Sequence, residues 1–84
     1  MEIIEAGVKY KVRNFVDHNV QQEIKFVSKE HGDGTTTEEL LAVLEHRLIT
    51  LNNQQKCREN EEAITRIQSA QNWLYRRERN KKEK

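Results

Sequence analysis

The side chains best able to do chemistry in this chain are cations near its end. From Arg76 to Lys84 six basic residues (Arg76, Arg77, Arg79, Lys81, Lys82 and Lys84) stand against two acids, Glu78 and Glu83, a local balance of +4. Such an end attracts phosphate. Arg77 and Lys81 are one helical turn apart, so on a helix they share a face and could clamp a diphosphate. The competing reading is a solvated helix end whose cations complement the helix dipole. Arg58 poses the opposite problem. Near a helix start the dipole disfavours a cation, so it either pairs with Glu61 or Glu62 or reaches a ligand on another subunit.

The remaining reactive residue types form no such pattern. His18, His31 and His46 are scattered without metal-ligand spacing, and no metal site is expected. Glu45 and Arg47 flank His46, but adjacent helix positions point in different directions and do not make a triad. No nucleophile, base and orienting group recur at usable spacing, so no catalytic residue is assigned and no enzyme is expected. Nothing calls for a cofactor. The single Cys57 excludes an intramolecular disulfide, fits a reducing compartment and reads as a small structural cysteine.

Those residues must be carried by a short chain. With 84 residues, 35% hydrophobic and 35% charged, no proline and a net charge of +1, there is one domain with little apolar surface to set against its ordering entropy. An oligomer is expected for that reason. No stretch reads as a transmembrane span or signal peptide, since Met1-Glu2-Ile3-Ile4-Glu5 carries acids and no long apolar run, and a soluble intracellular protein is expected.

The first part of the chain, about residues 1–31, alternates in the strand manner. Val8, Tyr10 and Val12 fall on one face with Lys9, Lys11 and Arg13 on the other, and a second run, Ile24 to Lys29, follows the polar Asp17-His18-Asn19. A β-hairpin or meander is expected there, with Ile3 and Ile4 as a candidate third strand. His31-Gly32-Asp33-Gly34 breaks the pattern, and Thr35 or Thr36 with Glu38 or Glu39 three residues later supplies a capping box. The first helix is expected over about 36–52, burying Leu40, Leu41, Val43, Leu44, Leu48 and Leu51 and leaving Glu39, Glu45 and Arg47 at polar positions. The second is expected over about 57–82, with Ala63, Ile64, Ile67, Ala70, Trp73 and Leu74 as its stripe and Trp73 in a core or an interface. A short connector favours an antiparallel pair. The fold class is α+β: a small N-terminal antiparallel hairpin or meander, then a long antiparallel two-helix hairpin, in an oligomer.

The exact residues carry more than their periodicity. Asp33-Gly34-Thr35-Thr36-Thr37-Glu38-Glu39-Leu40-Leu41, then His46-Arg47-Leu48, then Cys57-Arg58-Glu59-Asn60 with Ala63-Ile64-Thr65, and finally Trp73-Leu74 with Arg77 resemble the Thoeris anti-defence sponges of phages, first type. These share their helical hairpin with the anti-CBASS sponges. The resemblance runs from about Tyr10 to Lys81 and implies a protein that does no chemistry. It would bind a cyclic nucleotide messenger of bacterial immunity, such as cyclised ADP-ribose, and hold it intact in the cytoplasm of the infected host. Some members also bind cyclic di- or trinucleotides at separate sites in a hexamer.

The resemblance also implies binding residues. The asparagine closing the Cys-Arg-Glu-Asn run falls on Asn60, and the two basic residues that grip phosphates fall on Arg77 and Lys81. Lys81 departs from the family's arginine, keeping the charge but giving up the bidentate fork. The family's base-stacking aromatic would lie near Thr50 or Leu51, neither of which is aromatic, leaving Tyr75, Trp73 or Phe15 as substitutes. A capping role for Asn60 is compatible with its ligand role. Asn60 and Arg77 are 17 residues apart, roughly 25 Å on one continuous helix, too far to hold one small nucleotide from a single chain. An antiparallel homodimer with two symmetric pockets solves this, alone or within a hexamer.

Two other classes use the same features differently. A nucleic-acid-binding module would lay the basic end on a phosphate backbone, but the near-neutral chain carries no zinc knuckle or basic zipper, and a nucleic-acid partner is disfavoured. A helical-hairpin interaction protein would use the apolar stripes without any ligand.

Overall fold

The computed structural model describes residues 1–29 and 32–82, with side chains to Asn80. His31 therefore lies outside the described residues. Three strands, β1 (Glu2–Glu5), β2 (Lys9–Arg13) and β3 (Gln21–Lys25), precede two helices, α1 (Thr37–Gln54) and α2 (Arg58–Lys82). The chain divides into two compact units, Met1–Thr37 and Glu38–Lys84.

The first unit is an antiparallel meander in the order β1-β2-β3. Ile3 and Ile4 do form a strand, with a register irregularity between Ile3 and Glu5 on pairing with β2. Tyr10 faces Ile3 on one side and Ile24 on the other, and its ring meets Phe26 edge-on at 5.9 Å between centroids. The apolar alternation is thus one cross-strand cluster. The turn into β2 uses Gly7 at φ +78, whose N–H donates to the Tyr10 hydroxyl at 2.7 Å. β3 starts earlier than the apolar run suggested and ends at Lys25. Beyond it Phe26 makes a parallel bridge with Thr35, closed by Val27 N–H to the Thr35 carbonyl at 2.9 Å and Thr35 N–H to the Lys25 carbonyl at 2.8 Å. Lys25 Nζ holds Asp33 at 3.1 Å. The Gly32 to Thr35 segment is therefore stitched to the end of the sheet.

Thr36 immediately precedes α1, with Glu38 and Glu39 in its first turn. That is the capping-box arrangement, Thr36 at the N-cap and Glu39 three residues on. Thr36→Ala should cost about 1 kcal/mol in urea denaturation. A loss below about 0.3 kcal/mol would show that the hydroxyl does not serve the helix end. At its other end α1 continues through Asn52 and Asn53 to Gln54, because no glycine or proline stops it, leaving Gln55 to Cys57 as the turn.

Within the second unit two cross-helix contacts set the pairing. Gln68 donates to Glu45 at 2.9 Å and Arg77 to Glu38 at 3.4 Å. Moving back along α1 thus means moving forward along α2, an antiparallel hairpin. The half-buried α1 residues are Leu40, Leu41, Glu45, Leu48, Leu51 and Asn52, whereas Val43 and Leu44 are 55% and 45% exposed. The expected assignment of Val43 and Leu44 inward and Glu45 outward is reversed. Leu41, Glu45, Leu48 and Asn52 lie at i, i+4, i+7 and i+11, the row facing α2, and Gln68 makes the carboxylate tolerable there. On α2 the half-buried row runs Asn60, Ala63, Ile64, Ile67, Ala70, Gln71 and Leu74, leaving Trp73 outside at 63% exposure. Trp73 is not a core residue of the chain. Among the described residues none is fully buried, and no described helix is long and apolar enough to cross a membrane.

Candidate functional site

The implied binding residues fall at the two ends of the helical hairpin. At the turn, Cys57 links the helices: its N–H donates to Asn52 Oδ1 at 3.0 Å, and its Sγ accepts the Asn60 N–H at 3.4 Å. A thiol occupies the N-cap position of α2, satisfying a donor that α2 itself leaves unpaired. Asn60 thus stands three residues inside the helix as the capped residue, not the capping one. Its side-chain amide makes no hydrogen bond among the described residues. Asn60 is half-buried and helps line an open cleft of about 490 Å³ with Leu51, Gln54, Gln55 and Cys57. Arg58 is exposed beside it. Among the described residues it forms no ion pair, so of its two readings the pairing with Glu61 or Glu62 is not made, although Glu59 and Glu61 share the first turn of α2 with it.

At the open end Tyr75 is 68% exposed, and the Arg76 guanidinium sits 5.0 Å from the centre of the Trp73 ring. Stacking on Trp73 is therefore shared with a cation, while the Tyr75 ring has no aromatic or cationic neighbour among the described residues. Arg77 is held at 3.4 Å by Glu38 and lies 3.9 Å from Glu78. Lys81 continues α2, but its side chain lies outside the described residues. Phe15, the third candidate aromatic, is 95% exposed in the loop between β2 and β3. Thr50, near where a stacking aromatic was expected, turns its hydroxyl back to the His46 carbonyl at 2.9 Å.

One chain therefore gathers Asn60, Arg58 and the cleft at one end of α2, and Tyr75, Arg77 and the Lys81 position at the other. It does not bring the two groups together. Reading by residue type missed Cys57 as a cap, because thiols stand outside the usual capping residues. It also missed the cleft to which Leu51, read as part of the apolar row of the first helix, contributes with Gln54 and Gln55, and Glu38 as the counter-ion of Arg77. No group of three or more His, Cys, Asp or Glu side chains is placed to hold a metal ion among the described residues.

The sequence model of a family described as "Acb2/Tad1, hairpin domain" matches residues 11–77. The chain belongs to that family. Among curated proteins and among solved structures nothing matches. Membership in the Acb2/Tad1 hairpin family implies, in general terms, an anti-defence sponge for cyclic nucleotide signals. The matched span takes in β2 from Lys11 onward, β3, all of α1 and α2 as far as Arg77. Asn60, Arg58, Tyr75 and Arg77 lie within the Acb2/Tad1 match and Lys81 beyond it.

Proposed function

We propose that the protein sequesters a cyclic nucleotide immune signal, cyclised ADP-ribose or a cyclic oligonucleotide, in the cytoplasm of a phage-infected bacterium and releases it unaltered. The Acb2/Tad1 match across the hairpin is the observation that carries this reading. In the proposed site Asn60 hydrogen-bonds the ligand, Arg77 and Lys81 take its phosphates, Tyr75 supplies a stacking face and Arg58 adds charge from the turn. Because α2 holds Asn60 and Arg77 at opposite ends, the site is shared between protomers of a homodimer, which a hexamer would repeat. Enclosure between chains gives the slow release that a sponge needs, and the cations speed capture.

Isothermal titration against cyclised ADP-ribose isomers and a panel of cyclic di- and trinucleotides tests this. One ligand should bind tightly, be recovered unmodified after heat release, and bind roughly 10- to 100-fold more weakly to Arg77→Ala, the loss expected for charge-assisted hydrogen bonds. No heat with any ligand would remove the sponge reading. It would favour instead an interaction protein docking through the exposed Val43, Leu44 and Trp73.

A further inference from the structure

Arg77 is not a free cation in this structure. Its guanidinium donates to Glu38 of the first turn of α1 at 3.4 Å and lies 3.9 Å from the Glu78 carboxylate on its own helix. All three side chains are about half exposed, so the pairing is wet and weak enough to exchange with a competing anion. Two carboxylates beside one guanidinium offset its charge locally within an otherwise basic helix end, so a phosphate gains the full charge of Arg77 only when one of them moves away.

We propose that Glu38 is a guard on Arg77: a carboxylate that occupies the phosphate-binding guanidinium in the empty protein and is displaced when a diphosphate-bearing ligand arrives. The inference rests on the reading of Arg77 as a phosphate ligand. Glu38 is well placed for this role because it belongs to the other helix. Glu78 is chain-adjacent to Arg77 and travels with it, whereas Glu38 reaches Arg77 only across the hairpin. Its displacement breaks a cross-helix tie between the first turn of α1 and the end of α2. The guard also sets a threshold. A singly charged anion gains too little from Arg77 to replace a carboxylate of equal charge, while a diphosphate carries the extra charge needed to win the exchange.

The test uses the full chain, with inorganic pyrophosphate and cyclised ADP-ribose as probes and the Arg77 Nε–H resonance as a local readout. Glu38→Gln keeps the shape of the side chain and removes its charge. It should shift the Arg77 resonance in the empty protein and tighten pyrophosphate binding by about two- to five-fold at low salt, with the gain shrinking as salt rises. Glu2→Gln, the same charge change on β1, should do neither, and Glu38→Asp should fall between wild type and Glu38→Gln. A role confined to holding the helices would instead weaken binding or leave it unchanged. Equal pyrophosphate affinity in wild type and Glu38→Gln, or no pyrophosphate binding at Arg77 in either, would overturn the proposal. Tighter pyrophosphate binding in Glu38→Gln without binding of any cyclic nucleotide would uphold the guard while removing the sponge reading.

Discussion

Heterodimers built from one Asn60→Ala chain and one Arg77→Ala chain are expected to regain a single ligand site of wild-type affinity, although each mutant alone binds poorly. In the proposed two-fold dimer every site takes Asn60 from one protomer and Arg77 from its partner. Pairing the two mutants concentrates both defects in one site and leaves the other untouched. The length of α2 makes the experiment decisive: its helix runs unbroken from Arg58 to Lys82, so within a chain the two residues remain roughly 25 Å apart whatever their side chains do. Each single mutant should lose roughly 10- to 100-fold in affinity, the usual cost of one strong polar contact to a charged group. Two-tag purification of the mixed dimer followed by titration with the cyclic nucleotide that binds wild type would count the sites. One tight site per dimer fits a shared pocket, and its absence would mean that Asn60 and Arg77 do not meet across an interface.

Gly34→Ala should be among the most damaging single methyl additions to the first unit. Gly34 sits at φ +136, a conformation closed to ordinary L side chains. An added Cβ would lie 2.8 Å from the Lys25 carbonyl oxygen, 2.8 Å from the Phe26 carbonyl carbon and 2.9 Å from the Val27 nitrogen. All three are backbone atoms and cannot swing aside as a side chain tip would. Relief requires the Gly32 to Thr35 segment to lift from the sheet, which sacrifices the two backbone hydrogen bonds flanking the Phe26 and Thr35 bridge. Strain and overpacking together suggest about 3 kcal/mol, a large part of the stability of so small a unit. Gly7 is the internal comparison. It too has a positive φ, but nothing lies within 4 Å of its Cβ position, so Gly7→Ala should cost only about 1 kcal/mol. Urea denaturation with hydrogen exchange at the Val27 and Thr35 amides would separate the two, and equal losses for Gly7→Ala and Gly34→Ala would contradict the crowding.

The meander and the helix pair were legible because each rests on local rules: alternation around Tyr10, threonine before acids at Thr36, short connectors between apolar rows. Legibility failed where one side chain's position depends on another far away in sequence. Glu45 reads as a surface carboxylate until Gln68, 23 residues later, is seen to meet it. Val43 and Leu44 read as core because apolar residues usually are, but the row that faces α2 passes them by. Gly34 reads as a turn glycine, whereas its real constraint is the backbone of Lys25 to Val27. The site divides in the same way. The family resemblance, not spacing, is what proposes Asn60 and Arg77 as ligands, and nothing in their spacing could announce that Glu38 meets Arg77 or that a thiol seats the start of α2.

A chain in which no described side chain is fully shielded from water has a consequence for dosage. Anything that binds only the folded form stabilises it by mass action, and in the proposed homodimer that includes the second copy. Where self-association supplies that stabilisation, doubling the supply of chain does more than double the number of traps, since a larger share of the chains is folded and paired. Capture then rises more steeply than synthesis. An early burst of expression would be worth more than the same amount of protein made slowly.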